Sequence, residues 1–361
     1  MKRLVRQFVQ YVKGSPLGVR LHIFRRNLKL ATRERAWKAM DDFGYGALSE
    51  AEKEALYKDM RYCFKKLHFL YDEYFTYNFT EIKSDSERRA YVPDNVRTRI
   101  IGKLNDAKDR RIFAYKPLTA ETFADYFGRD FCVVETAKDA KKLEDFLNKH
   151  GRAIVKPVEG TFGLSIRTVE VRPEDDVPAV ARALAQEYAQ YSGAIVEEVI
   201  VQDERMAKLH PQSVNTVRIT TFRLNSRTVI FHPNLRVGRG DSCVDNAAAG
   251  GLLCPIDAET GRVIVAGDKK GERYEKHPET GELLKGFEIP RWNEAAELVR
   301  KLALITPNTR HVGWDLALTK DRWILVEANE RGQWGGQYLL KQGFRTEVEG
   351  YLKELGIDLR L

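Results

Sequence analysis

No stretch of this chain approaches the roughly 20 consecutive apolar residues that a membrane-spanning helix needs. Its basic start also lacks the apolar centre and small-residue cleavage site of an export signal. The expectation is a cytoplasmic protein, at the inner face of the membrane if its N-terminus docks there. Cysteine is scarce: Cys63, Cys132, Cys243 and Cys254 are scattered without metal-type or framework spacing, so they read as reduced thiols rather than a disulfide scaffold or zinc module. Nor is there the excess of Pro, Gly or Ser that marks disorder; 361 residues, 43% hydrophobic and 31% charged, leave room for two or three packed units. Acid is almost missing from the first 38 residues, which hold eleven Lys and Arg against the single Glu34. The net charge of +8 therefore belongs to the N-terminus, and the remainder is near neutral or slightly acidic.

Leu4, Val5, Phe8, Val9 and Val12 recur at helical spacing among Lys2, Arg3, Arg6 and Lys13, and Gly14-Ser15-Pro16 ends the pattern. Such a helix either makes peripheral contact with an anionic membrane or docks on its own domain. Residues 21–40 continue basic and helical, residues 41–46 break, and Ser49 with Glu52 forms a capping box that opens helix as far as about Phe79. Aromatic residues are dense from Tyr57 to Phe79. Without zinc spacing, an RNA-binding strand signature or a helix-turn-helix pattern, they read as a helical-bundle core, and no nucleic-acid partner is expected. Alternation of helix and strand begins at Asn105. The chain thus divides into a basic, mostly helical region (1–104) and two α+β units (105–200 and 201–361).

Chemistry concentrates near the C-terminus. Residues 312–318 alternate apolar and polar, residues 323–326 are a buried-type apolar run, and Thr319-Lys320-Asp321-Arg322 is turn-like, which predicts a hairpin. Asp315 falls mid-strand on the first arm; Glu327 and Asn329, two apart on the second, share a face. Two carboxylates and an amide carbonyl suit a hard cation such as Mg2+, which takes few protein carboxylates and keeps room for substrate phosphates.

Two further patterns suit phosphate. Lys156 sits in the apolar strand of residues 152–158 and is followed by a loop with Gly160, Thr161 and Gly163, whose backbone N–H groups can approach phosphate oxygens while the lysine supplies charge. Arg218 and Arg236 lie on successive β-rich runs and can cross one face toward the same phosphates.

Taken in order, Val155-Lys156-Pro157 with its glycine loop, the arginine strands, Gly313-Trp314-Asp315 and Glu327-Ala328-Asn329 resemble the ATP-grasp superfamily. Asn215-Thr216-Val217-Arg218-Ile219-Thr220, Gly250-Gly251-Leu252 and the turn His277-Pro278-Glu279-Thr280-Gly281 are most similar to its sugar-transfer associated branch. The resemblance implies two α+β subdomains clamping ATP, with Mg2+ on Asp315, Glu327 and Asn329. It implies Lys108 as a second phosphate lysine, with Arg110 or Lys116 as alternatives because Ala107 splits the local pattern. It makes Glu197, Glu198 and Ile200 the adenine hinge, puts Asp203 or Glu204 near the ribose, and brings Asn246, Gly250 and Gly251 to the γ-phosphate. The implied activity is ADP-forming carboxylate–amine ligation through an acyl phosphate, on small-molecule or glycan-linked acids and amines. Phosphotransfer to a hydroxyl, or a non-catalytic role in polysaccharide assembly, stand as alternatives, and the oligomeric state stays open.

Overall fold

The computed structural model describes residues 16–159, 166–246 and 250–358. The glycine loop with Gly160, Thr161 and Gly163, and the helical pattern from Leu4 to Val12, lie outside these. The front of the described chain is helical: α1 (Pro16–Leu30), α2 (Arg33–Asp42) and α3 (Glu50–Tyr62), then short helical turns, then α4 (Asp94–Leu104). Ser49 and Glu52 form the expected capping box. The continuous helix expected over residues 21–40 is interrupted at Thr32, whose side chain caps α2 by accepting from the Arg35 N–H, so a local hydrogen bond outcompetes helix propagation. The expected run to Phe79 also breaks, at His68, which adopts a left-handed conformation.

The aromatic residues of this region form a core with Tyr74, Phe69 and Phe79 fully buried. Arg88 is its polar centre: 2% exposed, it forks onto Asp59 at 2.8 and 2.7 Å and donates to the Ile82 carbonyl at 2.8 Å. Gln337 joins this unit to the C-terminal part. Its Oε1 accepts from the Val92 and Phe344 N–H groups, and its Nε2 donates to Tyr77 Oη and the Val92 carbonyl.

A four-stranded antiparallel sheet follows, in the order β1 (Phe131–Val134), β4 (Ala194–Glu198), β2 (Arg152–Pro157), β3 (Arg167–Glu170). Helices α5 (Ala140–His150) and α6 (Val177–Ala189) cover one face through Leu143, Leu147, Leu184 and Tyr188. The second sheet has five antiparallel strands in the order β7 (Leu252–Pro255), β6 (Thr228–Val237), β5 (Val217–Arg223), β8 (His311–Leu318), β9 (Trp323–Asn329). Period-two alternation splits its residues, helped on β9 by a bulge opposite the Asp315–Leu316 step that puts Leu325 and Glu327, two apart, on opposite faces. Val217, Ile219, Leu235, Trp314, Leu316 and Leu325 turn to the apolar stripe of α7 (Trp292–Ile305), while Arg218, Arg236, Asp315 and Glu327 turn the other way. On that second face, beyond the polar residues, Phe222 and Phe231 pack with Trp334, α4 and α8 (Arg345–Glu354). Residues 105–127, grouped by sequence with the first unit, run instead along the second: Asn105 bonds to the His311 N–H and carbonyl, and Phe123 packs edge-on to Trp314. The apolar face of β8 holds them there.

His311 is fully buried and accepts from Trp334 Nε1 at 2.7 Å through its Nε2. Burial, with Arg97 nearby, pulls its pKa from 6.5 down to about 3. Between those values the unfolded chain binds a proton that the folded chain does not, so stability falls as pH drops from 6.5 toward 3, by about 1.4 kcal/mol per unit. Unfolding free energies measured across that window show this slope, and His311→Gln, which cannot titrate, removes it.

Candidate functional site

The β-register sets a row of side chains across four strands of the second sheet: Asn234 opposite Arg218, Arg218 opposite Asp315, Asp315 opposite Glu327. Arg236 and Asn329 stand two residues along on β6 and β9, on the same face. Asp315, 2% exposed, receives the Arg218 fork, with Nη2 to Oδ2 at 2.5 Å, and Arg236 Nη1 at 2.9 Å. Burial alone would push its carboxyl up, but the two guanidiniums outweigh it and hold it below the usual range. Arg236 also pairs with Asp245 at 3.0 Å and with Asn246. Asp245 in turn accepts from the Thr216 N–H at 2.9 Å, which pins the loop after β6 over the row. Gly251 closes that loop where a Cβ would come within 2.5 Å of the Asp245 carbonyl, so only glycine fits.

The first sheet answers from across the cleft. Lys156 Nζ donates to Glu197 at 2.8 Å, and Arg129 reaches the same carboxylate oxygen at 2.7 Å. Burial would raise the Glu197 pKa, but Arg129 and Lys156 hold it below the ordinary value. Arg129 crosses between the sheets, donating also to the Leu325 and Val326 carbonyls of β9, and its guanidinium lies 3.6 Å from the Phe127 ring centre. Lys116 donates to the Pro157 carbonyl at 3.2 Å. Burial pulls its pKa down, while Glu327 pushes it up and Lys156 pulls it down further, so this lysine sits among charges of both sheets.

One cleft of about 1580 Å³ gathers Lys116, Lys156, Glu197, Glu198, Ile200, Arg218, Arg236, Asn246, Asp315, Glu327 and Asn329. Two expectations change. Lys108 is exposed and off the cleft lining, because its turn is tied down locally by Asp106; of the three cations considered, Arg110 and Lys116 line it. Asp203 and Glu204 are also off the lining: Asp203 caps the turn Glu204–Ala207 and is paired with Arg205 at 2.9 Å. Glu197 lines the cleft, but its carboxylate is consumed by Lys156 and Arg129, so it holds those cations in place rather than offering itself to a ligand.

The oxygen set fits a hard cation. Among the described residues the Glu327 side chain makes no hydrogen bond or ion pair, and Asp315 Oδ1 accepts from Arg218 alone. The buried Asn329 Nδ2 has no acceptor among the described residues; with the amide turned over, its oxygen takes that position on the face shared with Glu327. A second group of ligand-type side chains, Asp130, His150 and Glu198, stands at the edge of the first sheet, where Asp130 is already engaged by Lys149.

Sequence reasoning missed Arg129, whose single signal is the left-handed Gly128 before it, where a Cβ would clash with Ile324. It also missed that the helical front end walls the cleft. His22, Arg26, Asp94 and Arg97 line it beside Arg110, Glu330 and Arg331. Arg97 donates to the Arg331 and Gly332 carbonyls at 2.8 Å each, and Arg110 pairs with Glu330 at 2.6 Å. Burial and then Arg26, Arg331 and Arg110 keep His22 below its ordinary pKa.

Two sheets that set a strand lysine against an arginine–carboxylate row across one cleft define a nucleotide-clamping class of α+β protein. Within that class the chain belongs to the sugar-transfer associated ATP-grasp family, whose model matches residues 95–350. Among solved structures it is similar to D-alanyl-alanine synthetase A from Vibrio cholerae O1 biovar eltor, at 10% identity over 70% of this chain and 67% of that one, with a TM-score of 0.46. It is similar also to N5-carboxyaminoimidazole synthetase from Staphylococcus aureus complexed with ADP, at 15% identity over 71% of this chain and 55% of that one, TM-score 0.45. A third is the ATP-grasp ligase PsnB complexed with minimal precursor, Mg and ADP, at 13% identity over 80% and 70%, TM-score 0.36. The chain spans 49% of the length of another, the N5-carboxyaminoimidazole ribonucleotide synthetase solved as an ADP complex. No curated protein matches it.

Proposed function

We propose that the protein is an ATP-dependent ligase that activates a carboxylate as an acyl phosphate and joins it to an amine, releasing ADP and phosphate. The observation that carries this reading is the Arg218–Asp315–Arg236 row facing Lys116 and Lys156 across one cleft, with the Glu327 side chain on the same lining and making no hydrogen bond or ion pair among the described residues. Phosphoryl transfer demands positioning and neutralised charge rather than a covalent nucleophile from the protein, and these side chains supply that. Lys116 and Lys156 lie where they can meet phosphate oxygens; Arg218 and Arg236, anchored on Asp315, add positive charge toward the transferring group. Asp315, Glu327 and Asn329 would hold Mg2+, which supplies Lewis-acid polarisation of phosphate oxygens when bound. In the reaction the substrate carboxylate oxygen bonds to the γ-phosphorus as ADP leaves. The amine nitrogen then bonds to the acyl carbon as phosphate leaves, and the amine gives up a proton.

At the helical end of the cleft Arg26, Arg97, Arg110 and Arg331 stand among Asp41, Asp42, Asp72, Asp94 and Glu330, a wall of both charges that supports a polar acceptor there, small or glycan-linked. Incubation with MgATP, candidate acids and hydroxylamine tests the chemistry. A hydroxamate with stoichiometric ADP supports the ligase, whereas a phosphorylated hydroxyl acceptor without hydroxamate replaces it with phosphotransfer. Exchanging Lys116 for Ala is expected to raise the ATP KM more than about tenfold, the loss of one charged hydrogen bond. Lys108→Ala is expected to leave it unchanged, and initial rates against ATP concentration distinguish the two lysines.

A further inference from the structure

On α1, Leu17, Leu21, Phe24 and Leu28 are 67%, 45%, 60% and 61% exposed. Their spacing places them in one stripe along the helix, about 16 Å long. This is not a helix hanging loose. Its other side is seated on α4, where Val19 is buried against Gly102 so closely that a Cβ there would come within 3.1 Å. Arg26 pairs with Asp94, and Asn95 donates to Asn27 at 3.2 Å. The four large apolar side chains therefore point outward from a fixed platform. Around them stand the exposed Arg20, Arg25 and Lys29, and α1 contains no Asp or Glu.

We infer that this face docks on an anionic lipid surface. Apolar side chains in a row can enter the boundary between headgroups and acyl chains while flanking cations meet headgroup phosphates. Charge decides among occupants. A second copy of α1 laid on the stripe would set cations against cations with no carboxylate on the helix to relieve them, which disfavours a symmetric pairing. An anionic surface complements every charge on the helix. The inference is independent of the chemistry in the cleft, yet the same helix carries His22 and Arg26 into the cleft wall, so docking would bring that mouth to the headgroups.

The full chain is tested by co-sedimentation with vesicles of equal parts phosphatidylglycerol and phosphatidylcholine, and with phosphatidylcholine alone. The expected result is binding to the mixed vesicles that weakens with salt, and none to the neutral ones. Phe24→Glu with Leu28→Glu is expected to lower partitioning at least about tenfold. Because both positions are exposed, the melting temperature and any ATP turnover stay as in the parent protein. The inference is overturned if the parent ignores the mixed vesicles or if the double variant binds them equally well. It is overturned too if the parent forms a dimer in solution that the double variant abolishes.

Discussion

Glu327→Gln is expected to give a folded protein whose ADP formation falls by at least about 10³-fold, the scale of removing a group that stabilises charge at a transferring phosphate. The amide keeps the volume of the carboxylate, and the Glu327 side chain makes no hydrogen bond or ion pair among the described residues, so the exchange leaves none of them without a partner. What disappears is a full negative charge beside Lys116 and Arg236. Mg2+ titration of nucleotide binding supplies a readout apart from turnover: the variant should bind the nucleotide with weak dependence on Mg2+. Activity within a few-fold of the parent would remove Glu327 from the metal site. The same exchange at Asp315 makes an instructive contrast, because Arg218 would lose its carboxylate and Arg236 one of its two, and the unfolding free energy should then fall together with activity.

Arg129→Met should cost about 3–5 kcal/mol in urea unfolding, the range for breaking one partner of a buried ion pair. Arg129 is 2% exposed at its side chain and Glu197 4%, and the guanidinium also satisfies the Phe127, Leu325 and Val326 carbonyls. Methionine fills comparable space but donates to none of them. Lys149→Met, an exposed partner of Asp130, is the control and should change stability by less than about 0.5 kcal/mol. An unfolding curve for Arg129→Met superimposable on that of the parent would mean that Lys156 alone suffices for Glu197.

Legibility in the sequence followed locality. The hairpin of β8 and β9 was readable because alternation, a polar turn and an apolar run lie within twenty residues, but the register that sets Asp315 opposite Glu327 was not, since it depends on a bulge at the Asp315–Leu316 step that no local pattern announces. The Ser49 box was readable for the same reason. Arg129 was not: its partners are Glu197, 68 residues on, and Leu325, 196 residues on, and no local pattern announces them. Lys108 was favoured over Lys116 by spacing along the chain, whereas access to the cleft is decided by the turn at Asp106 and by burial against Pro157. The helical wall escaped for a related reason. Arg97 finds its acceptors at Arg331 and Gly332, and a sequence pattern of helix says nothing about which distant loop it will seat against.

The Gln337 amide carries a consequence for biogenesis. Its partner Val92 lies 245 residues earlier, so at common translation rates the aromatic helical unit leaves the ribosome about 10–50 s before the residue that fastens it exists. Throughout that interval the nascent unit must stand on its own buried Arg88–Asp59 pair and ring packing, with Tyr77 and Val92 hydrated or shielded by a chaperone. Attachment is then a late step of high contact order, and the vectorial order of synthesis makes the front of the molecule the first part made and among the last to be locked.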